Sequence, residues 1–287
     1  MFAITGITGN VGGEAARALL TAKQAVRGVV RDVRKGDEWR QQGCEVAVAN
    51  IEDGAALADA FKGAESIFVM VPSNFDPLPG FPEAQAIAAS LKSAIDAARP
   101  DRVVYLSTIG AQATRESLLT QHTMIEKELI GAGVPITFLR PGWFMENFAW
   151  DVAPALEKGV IPSFLHPLDK AFPMVATEDI GRVAAELLEE TWTGVRVVEL
   201  EGPRRLSPND VAATFSKLLG KPVRMELVPR EKWEESFRAQ GITNPLPRLQ
   251  MLDGFNEGWI DYEGGAAGTR KGKVELETVL KKLIDGK

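Results

Sequence analysis

In the stretch Ile4-Thr5-Gly6-Ile7-Thr8-Gly9-Asn10-Val11-Gly12, three glycines stand three residues apart. They separate an apolar run, Phe2–Thr5, from an Ala/Leu-faced helix expected over Val11–Lys23. Each glycine has a distinct task at this spacing. Gly6 permits the tight turn out of the strand, Gly9 lets the backbone close on a pyrophosphate, and Gly12 lets the helix pack tightly. The N–H groups and dipole at the helix start favour negative charge there. A glycine triplet alone is a weak signal, and a ligand-free structural turn is the alternative. Its position between a strand and a helix is the context that the motif requires.

Outward from this loop, β-rich runs alternate with helical stretches. Strands are expected at Phe2–Thr5, Val26–Val30, Glu45–Ala49, Ser66–Val71, Arg102–Ser107, Ile136–Arg140 and Val195–Leu200. Helices are expected over Val11–Lys23, Gly54–Lys62 and Glu83–Arg99, the last with Ile87, Leu91 and Ile95 on one face. Val/Ile-rich strands separated by helices imply parallel βαβ units, hence an α/β, doubly wound parallel sheet of the Rossmann type. After Arg140-Pro141-Gly142 the pattern breaks up around Pro154, Pro162, Pro167 and Pro173. Order returns at Thr177, expected as an N-cap before Glu178 and Asp179, and again at Ser207-Pro208-Asn209-Asp210 with Ser207 as cap. The chain thus divides into a dinucleotide-binding domain (1–142 and 171–202) and a smaller, interleaved C-terminal α/β lobe that lids the substrate (143–170 and 203–287).

Composition narrows the classes of function. The 287 residues include one cysteine, Cys44, and two histidines, His122 and His166, too few for a disulfide framework or a cysteine- or histidine-built metal site. A net charge of −6 argues against a nucleic-acid partner, because that affinity comes from neutralising phosphates. Met1 leads straight into Phe2-Ala3-Ile4, and no run approaches 18 apolar residues, so the expectation is a cytoplasmic protein without a membrane span. Oligomeric state is not legible.

The end of the second strand reports on the nucleotide. An acid there suits the free ribose of NAD, whereas an arginine accommodates a 2′-phosphate. The sequence is Val29-Val30-Arg31-Asp32, followed by Arg34 and Lys35. Arg31 can fork onto a phosphate and Lys35 can add a point charge, which favours NADP(H) over NAD(H). Asp32 argues the other way.

Taken together, Gly6/Gly9/Gly12, Val30-Arg31-Asp32, Val71-Pro72, Leu106-Ser107, and Lys127 followed by Leu139-Arg140-Pro141-Gly142-Trp143-Phe144-Met145-Glu146-Asn147 resemble the NmrA-like family of atypical short-chain dehydrogenases/reductases. The resemblance runs to about residue 260, and the segment Arg140–Asn147 is its most specific part. It implies NAD(P)(H) on a Rossmann core, with Thr8, Asn10 and Val11 at the pyrophosphate and Arg31 at the 2′-phosphate. It also implies Asn50 and Ile51 by the adenine, and Val71 and Pro72 near the nicotinamide, with Pro141, Gly142, Trp143 and Phe144 bordering nicotinamide and substrate. Asn50 stands where an acidic residue is expected. Members of this family are either reductases of quinones, dyes, enones or aromatic ethers, or catalytically silent redox sensors acting through a protein partner.

Ordinary short-chain reductases use a tyrosine four residues before a lysine. The two tyrosines, Tyr105 and Tyr262, are followed four positions later by Ile109 and Ala266, so that pair is absent. Lys127, flanked by Glu126 and Glu128, has the surroundings of a solvated lysine. The resemblance gives it instead a catalytic and ribose-binding role, and sensors of the family tend to lack it. His122 either reaches the cleft as a proton relay or packs within its helix. Ser107, at a strand end, either meets substrate or satisfies local backbone. Trp143, Phe144, Phe148 and Trp150 are flat apolar walls suited to a planar acceptor, or core. Phe255–Trp259 is a candidate lid, and Arg270-Lys271-Gly272-Lys273 reads as a solvated loop. The reading is an NAD(P)H-dependent oxidoreductase delivering hydride to an apolar or aromatic carbonyl, quinone or dye, with a non-enzymatic redox sensor as the alternative.

Overall fold

The computed structural model describes residues 1–286. Among them, eight strands form one sheet: β1 (Phe2–Thr5), β2 (Val26–Val30), β3 (Glu45–Val48), β4 (Ser66–Met70), β5 (Arg102–Leu106), β6 (Ile136–Pro141), β10 (Val195–Glu201) and β12 (Arg270–Lys271). Their order is β12-β10-β6-β5-β4-β1-β2-β3, and every neighbouring pair is parallel. The chain therefore winds one way from β1 to β3 and the other way from β4 onward. The reversal between β1 and β4 opens a crevice at the carboxyl ends of the strands. All seven strands expected from the sequence are present, five with the C-terminal end shifted by one residue.

Helices cover both faces. Along the strands alternate side chains go to opposite sides. Ile4, Phe68, Val104 and Leu139 join the apolar faces of α1 (Asn10–Thr21) and α7 (Thr177–Glu189). Ala3, Ile67, Val103 and Phe138 meet α3 (Gly54–Phe61), α4 (Pro82–Ala98) and α5 (Thr120–Leu129). The short α2 (Asp37–Gln41) follows β2. The remaining segments gather a third apolar core around Trp233, Phe215 and Phe237. They contribute β7 (Trp143–Phe144), β8 (Val160–Ser163), β9 (Met174–Val175) and β11 (Arg224–Leu227), paired β7 with β9 and β8 with β11. Their helices are α6 (Val152–Lys158), α8 (Pro208–Leu219), α9 (Trp233–Ala239), α10 (Leu246–Glu257), α11 (Gly265–Gly268) and α12 (Leu276–Ile284). No helix among the described residues is long and apolar enough to cross a membrane.

Two local expectations are corrected. Thr177 is not a cap but the first residue of α7; its N–H and hydroxyl donate to the Glu146 carboxylate, at 2.9 and 2.7 Å. A carboxylate brought from the segment after β6 replaces the local cap and pins that segment to the core. Arg270 and Lys271 are not loop residues either, because they form β12 against β10. The acids Glu190 and Glu201, on or beside the neighbouring strand, pair with Arg270 and Lys271 respectively. By contrast Ser207 caps α8 as its sequence indicates, in a reciprocal capping box with Asp210.

The α1–α7 contact has no spare room. A Cβ on Gly181 would lie 2.7 Å from Val11 O and 2.9 Å from Ala15 N, both backbone atoms of α1. Gly181→Ala should therefore separate the helices, destabilise the protein by about 1–3 kcal/mol and lower its melting temperature in a thermal scan. An unchanged melting temperature would refute this account of the interface.

Candidate cofactor and substrate site

The glycine loop leaves β1 through Gly6, whose φ of +65° suits glycine, and enters α1 with Gly9 as N-cap. A Cβ on Gly12 would lie 2.7 Å from Gly6 C and 3.0 Å from Thr5 O, so helix and turn touch directly. Gly13 N–H bonds Gly9 O at 2.9 Å, and the N–H groups before it belong to the first turn, which has no earlier helix carbonyl to reach. No side chain caps this end and no acid stands in the first turn. These features fit the phosphates of a dinucleotide: unsatisfied donors and a favourable dipole, with nothing anionic in competition. Thr8 and Asn10 are exposed beside them, and Val11 is buried.

Because the strands are parallel, their ends share one edge. After β2, Arg31 and Lys35 are exposed, whereas Asp32 is taken up by Arg34, which pairs with it at 2.6 Å and donates its N–H at 3.0 Å. Those bonds hold the Asp32 carboxyl below the usual carboxylate range. The acid that argued for NAD(H) is thus already occupied. Asn50 is exposed and Ile51 half-buried after β3, and the Ile51 carbonyl accepts from Ser90 at 2.9 Å.

Beyond the reversal point lies a cavity of about 690 Å³. Val71, Pro72 and Ser73 after β4, Ser107 and Thr108 after β5, and Gly142, Trp143 and Phe144 after β6 form its sheet side, with Asn10 and Val11 at one end. The smaller lobe contributes Phe148, Trp150, Phe164, Met251 and Phe255. Phe255 meets Trp143 edge-to-face at 5.4 Å, and Trp150, 68% exposed, stands at the opening. Pro141 is buried beneath Gly142.

Polar groups are few. His122 is buried in α5, with Nδ1 2.8 Å from the Tyr105 hydroxyl and Nε2 3.2 Å from Ser73 Oγ. Among the described residues that imidazole is the Tyr105 hydroxyl's hydrogen-bond partner; satisfying the buried O–H requires it to donate to Nδ1, which assigns the ring hydrogen to Nε2. Burial drives the His122 pKa down to about 4, and burial with the nearby Glu126 charge raises that of Tyr105. At neutral pH the pair is an uncharged phenol behind an uncharged imidazole whose Nε2–H is directed at Ser73 on the cavity wall.

One turn later, Glu126 is also buried. It accepts from Ser107 Oγ at 2.5 Å and from Arg140 at 2.9 and 2.6 Å, and Arg140 continues to Glu263 at 2.7 Å. The hydroxyl proton of Ser107 is therefore committed while the residue lines the cavity. Lys127 is exposed and does not line the cavity. Successive helical residues differ by about 100°, so a helix that points His122 and Glu126 inward turns Lys127 to solvent. In this geometry Lys127 points away from the cavity that His122 lines. Tyr105, Glu126 and Arg140 were missed as site residues, and only for Glu126 was there a signal, its four-residue spacing from His122. Asp151 was missed too. It lines the cavity without a hydrogen-bond partner among the described residues, and burial pushes its pKa up to about 7.

The sequence model of the NmrA-like family matches residues 1–255. The chain is 26% identical over 275 residues to an NAD(P)H azoreductase of Xenophilus azovorans, covering 94% of this chain and 91% of that one. It is 27% identical over 289 residues to quinone oxidoreductase 2 of Escherichia coli, covering 99% and 93%. Among solved structures, the E. coli NADPH-dependent quinone oxidoreductase bound to NADPH superposes with a TM-score of 0.82 at 24% identity, covering 99% of both chains. A Citrobacter triphenylmethane reductase bound to NADP(H) gives 0.79 at 21% identity, covering 98% and 99%.

Asp151 allows a test of the cavity's low polarity. A carboxyl raised from 3.8 to about 7 keeps its proton in the folded state where the unfolded chain has lost it. Ionisation therefore removes stability as pH rises from about 4 to about 7. Asp151→Asn should melt above the parent at pH 8 and match it near pH 4; a variant melting below the parent at pH 8 would mean that the carboxylate is solvated or paired.

Proposed function

The chain belongs to the NmrA-like family, and from that premise we propose that it is an NADPH-dependent reductase acting on apolar aromatic carbonyl, quinone or dye-like acceptors. The observation that carries this reading is the continuity of the glycine loop with an open aromatic cavity, both at the carboxyl edge of one parallel sheet. An open cavity of about 690 Å³ with aromatic walls favours an enzyme that takes an acceptor over a sensor without catalysis. Relatives named for azo compounds and quinones, and a structural neighbour named for triphenylmethane dyes, support the acceptor class.

When bound, the dihydronicotinamide supplies the hydride. The chain's own residues bind, orient and polarise. Thr8, Asn10 and Val11 meet the pyrophosphate at the start of α1, and exposed Arg31, with Lys35, reads the 2′-phosphate. Val71, Pro72 and the Gly142–Phe144 backbone flank the nicotinamide half. On acceptor binding, His122 Nε2–H turns from Ser73 Oγ to the acceptor oxygen and donates to it as a neutral imidazole, strengthening as negative charge develops there. It does not give the proton up, because its supply would be Tyr105, whose own pKa is raised by burial. The proton comes from water through the open mouth, and Lys127 has no part.

NADPH oxidation, with NADH in parallel, against a panel of quinones and dyes tests the reading. We expect acceptor-dependent turnover preferring NADPH. Arg31→Ser should lower kcat/KM for NADPH by about 10–100-fold, the usual worth of hydrogen bonds to a charged group, while leaving NADH nearly unchanged. Tight NADPH binding without turnover of any acceptor would overturn the proposal. His122→Phe should reduce kcat by about 100-fold, as loss of one oxyanion donor does. His122 should contribute no inflection to the parent rate from pH 8 to 5, since it charges only near pH 4, and any inflection near 7 from Asp151 should persist in His122→Phe. An inflection near 6.5 that vanishes in His122→Phe would refute the neutral donor.

A further inference from the structure

Arg248, in the first turn of α10, is a cavity-lining cation that neither the fold nor the proposed chemistry uses. Its guanidinium lies 4.3 Å from the centre of the Phe237 ring and 5.5 Å from that of Phe75. Among the described residues it makes no ion pair and no side-chain hydrogen bond. Other arginines of the same lobe are paired, Arg205 with Asp261 at 2.9 Å and Arg230 with Asp253 at 2.7 Å. Burial lowers the Arg248 pKa, as expected for a cation withdrawn from water without a counter-charge. These aromatic contacts use none of the guanidinium N–H donors, which stay able to bond a ligand. Their forked arrangement suits the planar or tetrahedral oxygens of a carboxylate, sulfonate or phosphate.

The ionisable carboxyl on the cavity wall, Asp151, does not neutralise Arg248, since no ion pair joins them. It selects less strongly for a cationic acceptor than Arg248 does for an anionic one. Near pH 7 Asp151 carries only part of a charge, whereas Arg248 is fully charged at every working pH. We propose that Arg248 is the specificity-determining residue of this cavity and binds an anionic substituent on an otherwise apolar aromatic acceptor. This deepens the reductase reading and rests on it for turnover, although not for binding.

The test compares 1,4-naphthoquinone with 1,4-naphthoquinone-2-sulfonate as acceptors for NADPH oxidation, in the parent, Arg248→Met and Arg248→Lys. Taking the ratio of the two kcat/KM values within each protein, then comparing proteins, cancels the different intrinsic reactivities of the quinones. The ratio should fall about 10–100-fold in Arg248→Met, the worth of a charge-assisted hydrogen bond, and recover in part in Arg248→Lys. A ratio unchanged by Arg248→Met overturns the proposal, as does a parent enzyme that prefers a cationic dye to both quinones. A second arm reads binding without chemistry, by titration calorimetry of naphthalene-2-sulfonate, 2-naphthol and inorganic phosphate. Tighter binding of the sulfonate than of the other two, lost in Arg248→Met, supports an aromatic anion site. Equal binding of sulfonate and 2-naphthol refutes it, and phosphate binding as tightly as the sulfonate replaces the organic anion with a free one. If neither quinone is reduced, the reductase reading fails while the calorimetry still decides the role of Arg248.

Discussion

The ion pair between Arg140 and Glu126 sets the orientation on which the site depends. Both side chains are nearly inaccessible, and the guanidinium meets both carboxylate oxygens. One partner ends β6 and the other lies in the middle of α5, so the pair fixes the rotation of that helix against the sheet. Ser107 joins from the end of β5 and Glu263 from the smaller lobe, bringing four segments to one charge cluster. A buried pair of this kind adds little net stability compared with apolar residues of the same shape, but losing one partner costs about 3–5 kcal/mol because the other is stranded. Its effect is therefore on orientation. With Glu126 held inward, His122 one turn earlier must also face inward and Lys127 must face water.

Low polarity then decides what each inward group can be. His122 and Tyr105 are withdrawn from water together and both stay neutral, because desolvation penalises the imidazolium and the phenolate alike. Asp151 in the same cavity is pushed towards its protonated form. Glu126 is paired with Arg140, and Arg248 lies among aromatic rings without a charged partner among the described residues. The cavity thus separates groups that the fold has satisfied from groups left for a ligand. Hydrogen-bond partners make that division visible, and sequence position does not.

The fold was legible because its signals are local. The strand–glycine–helix segment, the Val/Ile runs and the helical spacing of Ile87, Leu91 and Ile95 each act within a few residues, and the sheet follows from them. The capping box at Ser207 is equally local. Long-range substitutes were not legible: Glu146 capping α7 from 31 residues away, or Glu190 at the end of α7 and Glu201 on β10 pairing with Arg270 and Lys271 in β12. The site followed the same rule. The glycine loop and Arg31 follow from local pattern, while Lys127 was judged by its place in a motif rather than by helical phase. The phase was readable, since His122 and Glu126 are four apart and Lys127 is one further on. What no spacing reveals is that Arg140, 14 residues from Glu126, supplies the charge that holds the carboxylate inside.

The geometry also bears on which acceptors suit the proposed reaction. The usual tyrosine and lysine of short-chain reductases lie four apart, and here His122 and Glu126 occupy one face at that same spacing. A phenol made acidic by a cation is replaced by a neutral donor beside an anion already saturated by Arg140 and Ser107. Such a pair can polarise an oxygen but cannot readily protonate it. Reduction of a simple aliphatic carbonyl produces an alkoxide, a strong base that needs a proton as it forms. Reduction of a quinone produces a phenolate-like oxygen, whose conjugate acid has a pKa near 10, with charge delocalised over the ring. One hydrogen bond and later protonation by water are adequate for that product. In the proposed reaction the neutral donor at His122 and the aromatic walls of the cavity therefore favour the same substrates: flat acceptors whose reduced form carries its own charge well.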